Sequence, residues 1–354
     1  MPQPKQKPKP KPKAKPITVA VTGPTGDIGK AFVRALERSR SVGKVLGMAR
    51  RPFDPEAQGW RKTEYRQGDV LEREGVEALV NEADVVVHLA FIIFGGPQET
   101  REVNLKGSRN VFEAAADSRR TKRLVYASSV AAYGFHDDPD RPERFTEDIA
   151  PRGTDEFYYS AQKAELEATL DALLAGSGVV DAYVFRPCIV AGPRATMLIE
   201  KVVEGARLGD PSPALRRGLG HLPLPRPLLP DVGAPLQLVH HDDVARALAA
   251  AIHGAGEPGA YNLAAAGQLG IGDIARALGW HTVPVPGPAV GVGAGIAKRL
   301  SFLSPQLEWA TALRTPVLMD TTKARRELGW EPRFDAAETL VQTAVSAREA
   351  GLLD

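Results

Sequence analysis

Cysteine is nearly absent from this chain: Cys188 is the single one in 354 residues. That excludes a disulfide framework and a cysteine-based zinc site, and makes a reducing cytoplasm the expected location. Long apolar runs are missing as well. No uninterrupted stretch approaches the ~18 residues that span a bilayer, and the apolar segment 284–297 is broken by proline and glycine. No apolar core accompanies the basic N-terminus, so neither a secretory signal nor membrane insertion is expected. Acid is absent from residues 1–16, where six lysines alternate with proline. Such a segment forms neither helix nor ladder and is expected to be extended and disordered. A solubilising extension and a weak attraction to anionic lipid or nucleic acid both remain open for it. Taking its six positive charges from the total of +2 leaves −4 for the remainder. The body therefore carries no nucleic-acid footprint, and a small molecule is the expected partner.

What is present begins at residues 17–30, ITVAVTGPTGDIGK. A β-branched run leads into Gly23, Gly26 and Gly29, and then Ile28, Phe32, Val33 and Leu36 fall on one helical face. Strand, glycine turn and helix start form the context in which this spacing points to a dinucleotide. Gly23 permits the tight turn, Gly26 lets backbone approach a pyrophosphate, and Gly29 lets helix pack on strand; the helix start offers free N–H groups. Further strands are expected at 44–49, 64–67, 84–89, 123–127 and 181–186, with helices at 72–81 and 99–119 between them. Short strands alternating with helices imply an α/β, doubly wound parallel sheet whose ligands bind past the carboxyl ends of its strands.

Those strand ends carry the chemistry. After the second strand an acid commonly meets the ribose hydroxyls of NAD; here stand Arg50 and Arg51, and Arg50 suits the 2′-phosphate of NADP. The fifth strand runs into Ser128 and Ser129, and Tyr159 and Lys163 sit four residues apart on one face of a later helix. A phenol of ordinary pKa about 10 is a poor base at neutrality. A neighbouring ammonium and a cationic nicotinamide ring would favour the phenolate, while Ser129 holds the substrate oxygen.

Together with TGPTGDIG, Gly68-Asp69, His88-Leu89-Ala90, VNLKGSRNVFEAA, SSVAAYG, YYSAQK, Arg186-Pro187, LVHHDDVARAL, YNLA and KARRELGWEP, these features span nearly the whole chain in order. In this the sequence resembles the extended short-chain dehydrogenase/reductase family, the NAD(P)-dependent epimerase/dehydratase group. The resemblance implies a Rossmann-like sheet over 17–189 and a smaller C-terminal substrate-binding lobe over 190–354, with segments near 236–264 returning to the core. It implies catalytic roles for Ser129, Tyr159 and Lys163, and a pyrophosphate cradle of Gly23, Thr25, Gly26, Asp27, Ile28 and Gly29. Asp69 and Val70 would meet adenine, Leu89 and Ala90 would line the path of the nicotinamide ribose, and Asn104 would help to hold Lys163 or a water. A homodimer through the helices 103–119 and 159–174 is expected on the same ground.

Val130-Ala131 follows Ser129 where family dehydratases carry an acidic pair, which argues against water elimination. Phe91 opens an unusually apolar segment, 90–96, readable as a packed hinge or as a wall for an apolar carbonyl substrate. Arg186 is a candidate substrate residue, and Arg216, Arg217 or Arg226, in a loop dense in proline and glycine, either clamp a substrate phosphate or carboxylate or form a solvated basic surface. Cys188 reads as a buried small side chain, and His240 and His241 lack the spacing of a metal site. Three activities stay open: a nucleotide-sugar epimerase, an NADPH-dependent reductase of an apolar carbonyl, and a non-catalytic dinucleotide sensor.

Overall fold

The computed structural model describes residues 15–177, 180–195, 199–200, 203, 228–231, 233–284 and 315–353. Its centre is a seven-stranded sheet in which every pairing is parallel. The strands are β1 (Ile17–Thr22), β2 (Val42–Ala49), β3 (Thr63–Gln67), β4 (Val85–His88), β5 (Arg123–Ala127), β6 (Asp181–Pro187) and, at the far edge, β10 (Gly259–Leu263). Their spatial order is β10-β6-β5-β4-β1-β2-β3, so the winding direction reverses between β1 and β4. Ligands of open α/β sheets bind at such a reversal.

The all-valine centre of β4 and the Val-Ala-Val of β1 are buried on both faces, as a parallel sheet covered by helices requires. Alternation along β1 sorts the two layers. Val19 and Val21 join α1 (Asp27–Arg38) in one core that also takes in α6 (His241–Ile252). Ala20 joins the other, built from α2 (Arg73–Asn81), α4 (Gly107–Asp117) and α5 (Tyr158–Ser177). The helix expected over 99–119 is a composite. A short α3 (Pro97–Arg101) passes into a π-helical turn at Glu102–Lys106 before α4 begins. Hydrophobic spacing does not announce a π turn, which costs regular bonding and gathers at functional positions.

Smaller elements complete the body. The strands β7 (Ile189–Ala191) and β9 (Leu238–His240) pair in parallel, as do β8 (Leu228–Asp231) and β11 (His281–Pro284). Around them pack α7 (Ile271–Leu278) and α9 (Ala336–Glu349). Trp330 lies in the main core with α8 (Thr322–Leu328), and its indole donates to the Asp243 carbonyl at 2.8 Å. At the start of α6 His240 is the N-cap, its Nδ1 accepting the Asp242 N–H at 3.1 Å. The lysine-proline tail lies almost wholly outside the described residues, and a helix that the apolar spacing of 197–208 predicts lies mostly outside them.

Candidate active site

The glycine turn is shaped by contacts that leave no room for side chains. Gly23 has φ +75°, and a Cβ there would stand 2.8 Å from the Ala90 nitrogen at the end of β4. A Cβ on Gly29 would collide with the carbonyl of Gly23, so that residue fixes how closely α1 approaches the turn. Gly26, by contrast, meets nothing of the protein nearer than 3.7 Å and caps α1 with no side-chain bond. Thr25, Asp27 and Ile28 are each part-exposed around it. Burial raises the Asp27 carboxyl above its ordinary pKa, against the opposing charges of Lys30 and His241. An open glycine face at the start of a helix fits the pyrophosphate of a dinucleotide.

A buried chain of bonds supports the turn. His88 Nδ1 meets Thr22 Oγ1 at 2.7 Å and its Nε2 meets Ser108 Oγ at 2.8 Å. Burial, reinforced by the charge of Lys163, pushes His88 down to about 3, so it stays neutral. The Leu89 amide donates to the Thr22 carbonyl at 3.0 Å, setting Leu89 and Ala90 beside Gly23. On the other side of β1, Arg50 and Arg51 are exposed just past β2. The backbone there is pinned by Tyr65, which donates to the Ala49 carbonyl at 2.8 Å, and by Gln67, which donates to that of Arg50 at 3.0 Å. Among the described residues the Arg50 guanidinium makes no hydrogen bond or ion pair. Asp69 closes its own turn by accepting the Leu71 N–H at 3.0 Å, and Asn110 donates to the Val70 carbonyl at 2.9 Å.

Past β5 the chain enters a short 3₁₀ turn, Val130–Tyr133, capped by Ser129, whose Oγ accepts the Ala131 N–H at 3.2 Å. Tyr159 lies within hydrogen-bonding reach of Ser129. The second turn of α5 brings Lys163 to the end of β5, where Nζ donates to the Ala127 carbonyl at 2.8 Å and to Tyr126 Oη at 3.3 Å. Lys163 is 2% exposed, and its ammonium is 5.9 Å from the centre of the Tyr159 ring. Ser129, Tyr159 and Lys163 thus converge as expected. Burial pushes the pKa of Tyr159 up to about 12, the Ser129 bond only partly opposing. Lys163 moves the other way, down to about 7, because burial penalises its charge more than Glu167 supports it.

Asn104, in the π turn, does not hold Lys163. Its amide brackets Ile92, accepting the N–H at 2.8 Å and donating to the carbonyl at 3.0 Å, and donates to Gln162 Oε1 at 2.8 Å. Tyr158 adds a bond to the Ile93 carbonyl at 2.7 Å. The apolar 90–96 segment is therefore pinned at two successive residues, with Phe91, Ile92, Ile93 and Phe94 each part-exposed.

Arg186 is corrected from a substrate candidate to a core residue. Its guanidinium bonds Glu167 through Nη2 at 2.7 Å, both side chains 5% exposed, and Tyr133 Oη through Nη1 at 2.8 Å. Ser128 also donates to Glu167, and Tyr133 continues to Asn262 Oδ1 at 2.9 Å. This network braces the floor under Ser129; Glu167 and Tyr133 gave no signal in the sequence beyond lying near the motifs. Arg216, Arg217 and Arg226 lie outside the described residues. Burial raises the Cys188 thiol, in keeping with a packed side chain. His240, His241 and Asp242 form a compact cluster in which three of the four ring nitrogens are engaged, the buried His240 Nε2 having no hydrogen-bond partner among the described residues. His241 Nε2 accepts the Arg194 N–H at 3.3 Å, its Nδ1 faces Asp242 at 3.0 Å, and His240 Nδ1 is occupied by the cap. Among the described residues no helix is long and apolar enough to cross a membrane.

Comparison with known proteins agrees with this geometry. The model of the NAD dependent epimerase/dehydratase family matches residues 19–264. An uncharacterized protein of Mycobacterium tuberculosis is 25% identical over 332 residues, 91% of this chain and 82% of that one. Among solved structures, UDP-glucuronic acid 4-epimerase from Bacillus cereus, in complex with NAD, superimposes with a TM-score of 0.69 at 17% identity, covering 94% and 99% of the two chains. A dTDP-glucose 4,6-dehydratase from Bacillus anthracis, also in complex with NAD, gives a TM-score of 0.69 at 18% identity, covering 94% and 97%.

Proposed function

The chain belongs to the NAD dependent epimerase/dehydratase family, and on that premise we propose that it is an NAD(P)-dependent, epimerase-like oxidoreductase acting at a secondary alcohol or ketone. The bound dinucleotide supplies the hydride donor or acceptor. Gly23, Gly26 and Gly29 hold its pyrophosphate at the start of α1, Asp69 and Val70 its adenine side, and Leu89 and Ala90 its nicotinamide ribose. Ser129 binds the substrate oxygen, Tyr159 gives or takes the hydroxyl proton, and Lys163 donates to the ribose while its charge favours the phenolate. Catalysis then rests on orientation and fixed charge in a dry cleft. The observation that carries this reading is the Ser129–Tyr159 hydrogen bond beside the buried ammonium of Lys163.

The substrate proposed first is a nucleotide sugar, on the likeness to the epimerase. No carboxyl stands on Val130 or Ala131, so epimerisation is proposed over dehydration. NADP is proposed over NAD because the Arg50 guanidinium is exposed at the end of β2 and unpaired among the described residues. A homodimer through α4 and α5 accompanies the proposal. One observation favours a second reading: four apolar side chains, Phe91 to Phe94, line the segment pinned beside Tyr159, which suits reduction of an apolar carbonyl by NADPH. Incubation with UDP-glucuronic acid and dinucleotide, followed by proton NMR, separates the two. Epimer formation with no net change in dinucleotide supports the first. Loss of NADPH absorbance with an aromatic or aliphatic ketone, and none with the sugar, supports the second.

A further inference from the structure

A lysine ammonium has three N–H bonds, and at Lys163 the structure accounts for each of them. One points to the Ala127 carbonyl at 2.8 Å and one to Tyr126 Oη at 3.3 Å. The third side of the ammonium is covered by the Phe91 ring, whose centre is 3.7 Å from Nζ. Of these partners Tyr126 needs a reason. Its side chain is 1% exposed, stacked on His88 at 5.8 Å and edge-on to Phe112 at 5.1 Å. A phenylalanine would satisfy that packing, yet a hydroxyl is buried here. Among the described residues Lys163 is its one hydrogen-bond partner. Burying a hydroxyl is unfavourable unless the bond it makes compensates.

We propose that Tyr126 is a positioning residue for Lys163, its phenol oxygen fixing the ammonium at the end of β5 and holding it in the charged form. A lysine stem has four rotatable bonds and retains no preferred direction by itself. Two acceptors from adjacent residues of one strand, Tyr126 and Ala127, define that direction. The balance of charge is also close. Lys163 is pushed down to about 7 by burial, so near neutrality one acceptor decides how much of it is protonated. The other titratable groups facing it are Glu167 and Tyr159 on its own helix and His88 on β4. His88, down to about 3, and Tyr159, up to about 12, are both neutral around pH 7, which leaves Glu167 as the opposing charge. Without the phenol oxygen the ammonium loses an acceptor and its pKa falls further.

This inference rests on the reading of Lys163 as a ribose-binding residue, and the experiment keeps the two apart. The probe is NAD, which has no group of its own titrating near neutrality, and its Kd for the full chain is measured by calorimetry across pH. In the natural protein, affinity is expected to fall as pH rises through the Lys163 ionisation. In Tyr126→Phe the fall moves to lower pH by about one unit, while the Kd on the acid side stays within about twofold because both proteins are then fully protonated. Tyr126→Leu serves the same purpose if thermal melting shows the phenylalanine variant unfolded. A fall at unchanged pH in both variants, with Lys163→Met having abolished it, overturns the role of Tyr126 and leaves that of Lys163. A pH dependence that persists in Lys163→Met overturns the reading of Lys163 and this inference with it.

Discussion

Phe91 meets Tyr159 edge to face, the ring centres 5.5 Å apart and the planes at 90°. The same Phe91 ring covers the Lys163 ammonium, so one apolar side chain touches both groups assigned to proton transfer and cofactor binding. A cation over an aromatic face gains about 2 kcal/mol where the pair is desolvated, as it is here with Lys163 2% exposed. Ribose hydroxyls that take the ammonium displace that contact. Phe91→Ala is therefore expected to tighten NAD(P) binding by about tenfold or more, measured by calorimetry. Weaker binding would instead mean that the ring packs against the nicotinamide.

Tyr159→Phe should lower turnover by at least about 100-fold, the usual scale of general acid–base assistance, with dinucleotide affinity unchanged within about twofold. Burial already holds this phenol neutral, up to about 12, so in the direction of reduction it is poised to donate. Steady-state rates on the substrate identified by NMR, beside a direct binding titration, check both halves. A variant that retains turnover would remove the proton donor from the mechanism.

Much of this site was legible because each motif follows a strand whose valine-rich run is unambiguous. Ile17–Thr22 and Val85–His88 end at Gly23 and Leu89, and the backbone contact between those two residues is what the glycine at 23 permits. Tyr159 and Lys163 share a helical face by spacing alone. Other features have no local signature. Asn104 sits on a π turn, which apolar periodicity cannot distinguish from ordinary helix. Arg186 looked available to a substrate because its partners, Glu167 and Tyr133, are remote in sequence and meet it only in three dimensions. The short edge strand Gly259–Leu263 was recognisable as a motif and not as a strand, since a five-residue run opening on glycine carries little β signal. The pKa of Tyr159 likewise has no local signature: burial of the phenol outweighs the bond from Ser129 and raises it.

Arg50→Ala should weaken NADP binding by about tenfold or more while leaving NAD nearly unchanged, since a hydrogen bond to a charged group contributes about 1.5–3 kcal/mol. The guanidinium is exposed and engaged by nothing else among the described residues, so its removal disturbs little of the fold. Competitive titration of the two dinucleotides reads the ratio. Equal losses for both would show that this arginine does not meet the 2′-phosphate.

The Glu167–Arg186 pair, with both side chains 5% exposed, makes a prediction about stability. Glu167→Ala strands a buried guanidinium and should cost about 3–5 kcal/mol in denaturant unfolding. Replacing both residues together, by methionine at 186 and leucine at 167, removes the stranded charge and should cost less than the single change. A double variant less stable than Glu167→Ala would show that the bonds from Ser128 and Tyr133, not the ion pair, hold this region.

The last prediction concerns acid. His88 is buried and neutral between Thr22 and Ser108, with its pKa down to about 3 against an ordinary 6.5. Above 6.5 neither the folded nor the unfolded chain binds this proton, and the full stability is present. Between 6.5 and about 3 the unfolded chain binds it and the folded chain does not, so stability falls as pH falls, by up to about 1.4 kcal/mol per unit from this one group. His240 and His253 shift in the same direction and add to the slope. Lowered carboxylates such as Asp242, down to about 2, act only below the ordinary carboxylate range. Between pH 7 and about 5 the slope also carries Lys163, down to about 7, and the raised carboxyls of Asp27 and Glu147, so the share of His88 is read as the difference in denaturant unfolding between the natural protein and its His88→Gln variant. His88→Gln should lower stability at pH 7, where the bonds to Thr22 and Ser108 are disturbed, and flatten the acid slope. A slope as steep in the variant as in the natural protein would mean that His88 accepts its proton without unfolding the turn it supports.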